Sequence, residues 1–355
     1  MGNMKAIAEK FVLDGKVLDC APLGIGNINS TFLVTTENKK YTMQKLNTNI
    51  FKKPEQVMSN IVKVTSHLKE KIIAEGGDPS RETLTFAQTE NGEYLYYDGE
   101  DVYRAYEFID DVNTLQTSGN TEMAYKVAKT FGIFQKRLAD FNADELYETI
   151  PDFHHTAKRF ETFEEIIKAD PYGRAAEVKD LIEYAEKESY LANSLTDALE
   201  SGVLPLRVTH NDTKINNILF DKKTNEGLCV IDLDTVMPAT TLYDFGDMVR
   251  SGAASTDEED TNLDNVTIDL DYYKAFVKGF IDGVGDCLTQ EEISRFALSS
   301  KVLTYECAIR FLGDHVNGDV YFNIRKPGHN MERAANLLKL LSEMERKYDE
   351  MLEIK

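Results

Sequence analysis

The chain has 355 residues, 42% hydrophobic and 28% charged, with 61 acidic against 40 basic side chains and a formal net charge of −21. That length exceeds a single ordinary hydrophobic core and predicts two packed lobes. The charge argues against nucleic acid and anionic membrane surfaces as partners, because both are bound by dense Lys and Arg. The four cysteines, Cys20, Cys229, Cys287 and Cys307, form no C-x-x-C pair and read as free buried thiols in a reducing compartment. No uncharged apolar run reaches the length of a membrane span. The N-terminus lacks the apolar core of a signal peptide, and Ala6 stands where a myristoylation signal needs Ser or Thr. The expectation is a soluble, cytoplasmic protein.

In chain order, an amphipathic start (Ile7, Phe11) precedes β-rich runs at residues 17–23, 30–35 and 40–46. Pro54 then opens a helix with Val57, Ile61, Val64 and Leu68 on one face, ended by Gly76-Gly77-Asp78-Pro79. Three further strands are predicted at 83–88, 94–97 and 102–109, giving an antiparallel sheet with one helix. From Thr121 the period becomes helical, with Val127, Phe131, Phe134, Leu138 and Phe141 on one stripe. Helices follow over 160–167, 176–199, 272–284, 291–312 and 331–351. The fold class is therefore α+β, a bilobal protein-kinase-like arrangement. An antiparallel-sheet N-lobe covers residues 1–110, and a mainly helical C-lobe covers 111–355. The boundary falls near Phe108-Ile109-Asp110. The acidic run Asp257-Glu258-Glu259-Asp260 reads as a solvated loop.

The hairpin Leu23-Gly24-Ile25-Gly26-Asn27-Ile28-Asn29-Ser30 places two glycines between strands, where backbone N–H groups can approach phosphates. It is neither a dinucleotide-binding turn nor a Walker loop, since a strand follows it and no Gly-Lys-Ser/Thr closes it. The strand Lys40–Leu46 should bring a cation to a nucleotide's phosphates. Gln44 and Lys45 occupy the position, on opposite faces, so only one can point inward. An acidic partner for that cation would come from the following helix, at Glu55 or Asn60. Main-chain groups around Phe108 and Asp110 are placed to contact a purine.

The stretch from His210 to Asp234 carries the chemistry. Asp212 is followed by Asn217 and then, after the apolar run Leu228-Cys229-Val230-Ile231, by Asp232. One carboxylate to orient an attacking hydroxyl, with an amide oxygen and a second carboxylate to hold Mg²⁺ on a nucleotide, suits phosphoryl transfer. His210 reads as an anchor of the loop. Asp234 and Asp244 read as supports, with metal contact by Asp234 the alternative.

The pattern H-x-D-x-x-x-x-N followed by a strand ending in I-D-x-D resembles the catalytic and metal segments of the aminoglycoside phosphotransferase and choline kinase superfamily. The segments L-G-I-G-N-I-N-S-T-F-L-V, Q-K-L-N-T-N-I-F, L-R-V-T-H-N-D-T-K-I-N-N-I-L, I-D-L-D-T-V-M-P, L-Y-D-F-G-D-M-V-R and T-Y-E-C-A-I-R-F-L-G-D-H-V-N-G-D-V-Y-F resemble, more narrowly, the N-acetylhexosamine 1-kinases. That resemblance implies ATP- and Mg²⁺-dependent phosphorylation of the anomeric hydroxyl of GlcNAc or GalNAc. It implies Asp212 as base, Asn217 and Asp232 as metal ligands, and Arg310 and Tyr321 as sugar contacts. Asn27 stands where relatives commonly have His. Glu306, four residues before Arg310, or Asp314 would orient the guanidinium, unless Glu306 and Arg310 form only a surface pair.

Two other readings compete. Another small-molecule kinase of the superfamily is one, although a choline site would call for an aromatic cage and the chain has 17 Tyr but no Trp. A catalytically silent kinase-fold binding protein is the other, favoured by Gln44 and opposed by the intact Asp212, Asn217 and Asp232. A hydrolase lacks its G-x-S-x-G elbow.

Overall fold

Alternating apolar positions in the β-rich runs of the first hundred residues put one side of each strand against a core. The computed structural model describes residues 2–24 and 28–354. They divide into two units. The first comprises Met1–Thr114, Asp140–Pro151 and Leu219–Pro238, and the second Leu115–Ala139, Asp152–Ile218 and Ala239–Lys355.

The first unit opens with helix α1 (Gly2–Ala8) and strands β1 (Val17–Pro22), β2 (Ser30–Thr36) and β3 (Lys40–Lys45). Helix α2 (Pro54–Ala74) and the short α3 (Pro79–Glu82) lead to β4 (Phe86–Ala87), β5 (Tyr96–Asp98), β6 (Asp101–Glu107) and β7 (Val112–Asn113). The main sheet has the order β1-β2-β3-β6-β4, with β5 also paired to β6. Its pairs are antiparallel, and Gln44 lies between Thr31 and Arg104 in register. Ile7, Phe11, Val17, Val34, Met43, Tyr103 and Ala105 form a buried cluster that joins α1 to the sheet. Burying side chains of this size contributes roughly 1.5–3 kcal/mol each. Two strands are shorter than expected: residues 83–88 keep only β4, and 94–97 contribute only the start of β5.

The second unit holds α4 (Thr121–Arg137), α5 (Thr156–Ala169), α6 (Lys179–Lys187), α7 (Leu191–Ser194), α8 (Thr196–Glu200) and β8 (Arg207–Thr209). Strands β9 (Ile218–Asp221), β10 (Gly227–Val230) and β11 (Met237–Ala239) come next in the chain. β9 pairs with β7 and with β10. Then come α9 (Thr241–Gly252), α10 (Leu270–Val284), α11 (Gln290–Ser294), α12 (Phe296–Val316), α13 (His329–Arg346) and α14 (Tyr348–Glu353). α12 is buried along almost its whole length and packs against α5, α9 and α13, its polar side chains Glu306 and Asp314 included. α4 and α10 approach so closely that a Cβ at Gly279 or Gly283 would meet the carbonyl oxygens of Tyr125 or Lys129.

Three expected long helices are broken. Residues 176–199 divide into α6, α7 and α8, with Leu191, Ala192 and Leu195 buried on the way. Residues 291–312 break at Arg295, after a capping box in which Thr289 and Glu292 satisfy each other's backbone N–H groups. Residues 331–351 break at Lys347, whose ammonium donates to the Ile268 carbonyl at 2.7 Å. None of these breaks carries a Gly or Pro signal. The acidic run is not the solvated loop expected. Glu258 accepts from Arg250 and Arg333, and Asn336 binds the carbonyls of Asp257 and Asp260 at 3.1 and 2.9 Å.

Candidate active site

Each unit contributes one turn that carries a candidate carboxylate. In the second unit β8 runs into His210-Asn211-Asp212. Asn211 is left-handed, with φ 64°, a conformation Asn tolerates better than most residues. Buried Asp244, in the first turn of α9, accepts the backbone N–H groups of His210 and Asn211 at 2.9 and 2.7 Å, and also the Gln135 amide. Asp247, one turn on, accepts the Thr213 N–H at 3.0 Å and is held by Arg250. His210 is fully buried between Phe131 and Phe134 and accepts the Asp212 N–H on Nδ1 at 3.2 Å. These bonds fix the loop's backbone before any substrate arrives.

Asp212 is half-buried. Lys214 lies 2.8 Å from its Oδ1, and Asn217 Nδ2 donates to its Oδ2 and carbonyl at 3.1 and 2.8 Å. Burial pushes the carboxyl up, but Lys214, His210 and the Asn217 bond outweigh it and hold its pKa below the usual carboxylate range. Asp212 is thus an ionised acceptor at neutral pH. With the nitrogen of Asn217 committed to Asp212, its Oδ1 is the atom left for a cation.

In the first unit Asp232 is exposed at the entrance of a 3₁₀ turn and is left-handed, with φ 60°. Asp234, two residues on, is buried. Its Oδ2 accepts Asn29 Nδ2 at 2.7 Å and its Oδ1 accepts Arg104 Nη1. With both oxygens engaged, Asp234 anchors the turn. Asn29 also accepts the Asn47 N–H at 2.9 Å, tying the exit of the Gly-rich hairpin to the same turn. Among the described residues no group of three or more His, Cys, Asp or Glu converges as a metal cage. Asn217 of the second unit and Asp232 of the first each carry an oxygen donor of the kind Mg²⁺ accepts beside phosphate and water oxygens.

The cation of the first unit is a residue the sequence reading missed. Arg104 in β6 is almost fully buried, donates to Gln44 Oε1 through Nε and Nη2 at 3.0 and 2.7 Å, and pairs with Asp234. Gln44 is therefore an acceptor held by an arginine, and Lys45 pairs with exposed Asp101 at 2.7 Å. Cross-strand register put Arg104 opposite Gln44. The only sequence signal was a charge set between Tyr103 and Ala105 in an apolar strand. The expected acidic partner from α2 is likewise corrected. Glu55 accepts from Tyr97. Asn60 is buried and clasps the backbone at Tyr147 and Val236.

Gly24 has φ 67°, which a side chain would strain, while Gly26 and Asn27 lie outside the described residues. Near the candidate purine contacts, the N–H groups of Glu107 and Phe108 are bonded to Thr85 and Lys40, and Asp110 pairs with Lys40. Those two N–H groups are committed to the protein itself.

Arg310, in α12, has the rings of Phe153, Tyr321 and Phe322 around it, 5.5–5.9 Å from the guanidinium carbon. The surface pair with Glu306 is absent. Glu306 is buried and bound to His154 Nδ1 and Thr156 Oγ1, each at 2.7 Å. Asp314 does not hold Arg310 either; it accepts the N–H groups of Val320, Tyr321 and Phe322 and so shapes the loop bearing those rings. The cysteines are free as expected, but only Cys20 and Cys229 are buried. No helix is long and apolar enough to cross a membrane among the described residues.

A family profile for phosphotransferase enzymes matches residues 19–279, most of the chain. The chain belongs to the phosphotransferase enzyme family. Its fold is that of several solved kinases. An aminoglycoside phosphotransferase from Alicyclobacillus acidocaldarius is 13% identical, with TM-score 0.66 and coverage of 98% of this chain and 96% of that one. A choline kinase from Cryptosporidium parvum is 14% identical, with TM-score 0.60 and coverage of 99% and 98%. A spectinomycin phosphotransferase, solved in complex with ADP and spectinomycin, is 12% identical, with TM-score 0.57 and 98% of each chain covered.

Proposed function

We propose that this protein is an ATP- and Mg²⁺-dependent cytoplasmic kinase that phosphorylates the anomeric hydroxyl of an N-acetylhexosamine, giving the sugar 1-phosphate. The observation that carries the kinase reading is Asp212, kept ionised beside Lys214 and tethered by Asn217 in a loop anchored by Asp244. Such a carboxylate can orient a hydroxyl and accept its proton. Asn217 and Asp232 are the proposed oxygen ligands for the nucleotide's Mg²⁺, which would neutralise charge developing on the transferred phosphoryl group. Gly24, Gly26 and Asn27 would lie over the phosphates and Asn27 would also face the sugar. Arg104 takes the buried-cation position proposed from sequence for Gln44 or Lys45. The main chain at Phe108 and Asp110 would face the purine, through groups other than the two engaged N–H groups.

The sugar assignment rests on the extended likeness to N-acetylhexosamine 1-kinases, supported by Arg310 and Tyr321 standing together on the second unit. A guanidinium among aromatic faces suits a polar ring with an acyl substituent. The deciding experiment offers purified protein with Mg·ATP a panel of sugars, amines and aminoglycosides and follows the product by NMR. Phosphorus coupled to the anomeric proton is expected. A 6-phosphate, or turnover only with amines, contradicts the acceptor reading. Activity that persists in EDTA contradicts the metal.

A further inference from the structure

In this acidic chain, four buried or half-buried arginines are matched to carboxylates. Arg104 meets Asp234, Arg207 meets Glu292, Arg250 meets Asp247 and Arg333 meets Glu258. Arg159 and Arg310 depart from that rule. Arg159, in α5, is half-buried and donates through Nε and Nη2 to the Phe153 carbonyl at 3.3 and 3.1 Å. Arg310 lies 5.9 Å over the Phe153 ring. Two guanidinium groups thus share one residue as their scaffold. Neither has a carboxylate within ion-pair distance among the described residues, and Glu306, one turn before Arg310, is already engaged by His154 and Thr156.

Their place relative to the catalytic loop follows from bonds within the same unit. Phe153 packs on His154 at 4.5 Å between ring centroids. The His154 Nε2 lies 3.0 Å from the carbonyl oxygen of Asn211, the residue before Asp212. Phe153 and His154 therefore connect the arginine pair to the residue before the carboxylate proposed to activate the acceptor. Burial and then the neighbouring Arg310 push Arg159 below its ordinary pKa, and Glu306, Tyr321 and Asp152 offset this only in part. Keeping the two like charges together has a cost unless a ligand supplies oxygen atoms.

We propose that Arg159 and Arg310 form a two-guanidinium clamp that binds carbonyl or anionic oxygens of the acceptor and excludes acceptors with a positive charge near that end. The proposal builds on the acceptor side of the function above, but it names a residue and a selection rule that reading does not contain. An acyl oxygen accepts from the planar fork of a guanidinium, whereas an ammonium in the same place meets two like charges.

The test compares kcat/KM for N-acetylglucosamine and for glucosamine, at a pH where the latter is an ammonium, in the native protein, Arg159→Gln and Arg159→Lys. The native protein should favour the acetylated sugar by at least roughly 100-fold, as like-charge juxtaposition predicts. Arg159→Gln should narrow that ratio about 10-fold, with KM for ATP unaltered. Arg159→Lys keeps the charge and should still reject glucosamine while binding the acetylated sugar less well. Melting temperatures confirm that all three are folded. An unchanged ratio in Arg159→Gln, or equal use of both sugars by the native protein, overturns the clamp. If no N-acetylhexosamine is phosphorylated, the acceptor assignment fails separately, and the clamp is judged on the panel member that is. A neutral or anionic acceptor whose turnover falls in Arg159→Gln supports it, and a cationic one, or one indifferent to that change, overturns it.

Discussion

The two units solve one problem by different electrostatics. Each holds a candidate carboxylate, Asp232 or Asp212, on a turn that includes a left-handed Asp or Asn, and each anchors that turn with a buried aspartate nearby. In the first unit the anchor, Asp234, is matched by a full charge on Arg104. In the second the anchor, Asp244, receives only backbone N–H groups and an amide, and burial raises its pKa above the ordinary value despite His210 and those bonds. An ion pair resists a change of pH but fails badly when one partner is removed. A set of dipoles loses little with any single donor but lets the acid take up a proton more readily.

The largest expected effect isolates the carboxylate from its anchor. Asp212→Asn keeps the shape and removes the proton acceptor, so turnover should fall by about 10²–10⁴ with melting temperature and nucleotide binding little changed. Near-native turnover would remove Asp212 from the chemistry. Asp232→Asn, which tolerates the left-handed backbone, should weaken Mg·ATP binding without loss of stability, whereas Asp232→Ala adds conformational strain to the lost ligand. If the two variants melt alike, that backbone strain is not a factor.

Breaking the anchors should separate the units by stability. Arg104→Met leaves Asp234 buried without its charge partner and should cost about 3–5 kcal/mol in urea unfolding. Asp244→Asn replaces an acceptor with an amide that cannot receive both N–H groups, and should cost about 1–3 kcal/mol. The reverse order would contradict the contrast between charge and dipole anchoring.

The smallest effect sharpens the comparison inside the second unit, at the ion pair of His154 with Glu306. His154 faces two acceptors, Glu306 and the Asn211 carbonyl, so both ring nitrogens must carry protons to make both bonds. Burial lowers its pKa, but Glu306, with a smaller contribution from Asp247, overcomes this and raises it from 6.5, while Glu306 itself is held low chiefly by His154 against its burial. The raised histidine contributes stability that is complete below its ordinary pKa and is lost as pH climbs through the folded value. The depressed Glu306 contributes stability that fades as pH falls through its own folded value. Melting temperature should therefore decline on the alkaline side, and His154→Gln should flatten that limb. An equally steep decline in the variant would assign the slope to another group.

These contrasts were only partly legible in the sequence. The string from His210 to Asp234 singled out both candidate carboxylates, because phosphoryl transfer needs those residue types at that spacing. Strand alternation also placed β1, β2, β3 and β6 within a residue or two. Arg104 was not legible, because a charge within a strand reads as exposed unless its cross-strand neighbours are known. The interruptions at Arg295 and Lys347 were hidden for a related reason. They arise from where tertiary partners such as Ile268 lie, and neither position has a helix-breaking residue. Glu258 was read as solvated because its partners, Arg250 and Arg333, are separated from it by 8 and 75 positions.

The close approach of α4 and α10 has a consequence for how the second unit opens. Gly279 and Gly283 bring the backbone of one helix against the carbonyls of Tyr125 and Lys129 on the other, leaving no layer of side chains between them to rearrange. Amide hydrogens along that seam can reach solvent only if the helices part, a rupture of the packed core rather than a local fluctuation. In hydrogen exchange they should be among the last to take up deuterium, with protection approaching the global unfolding free energy.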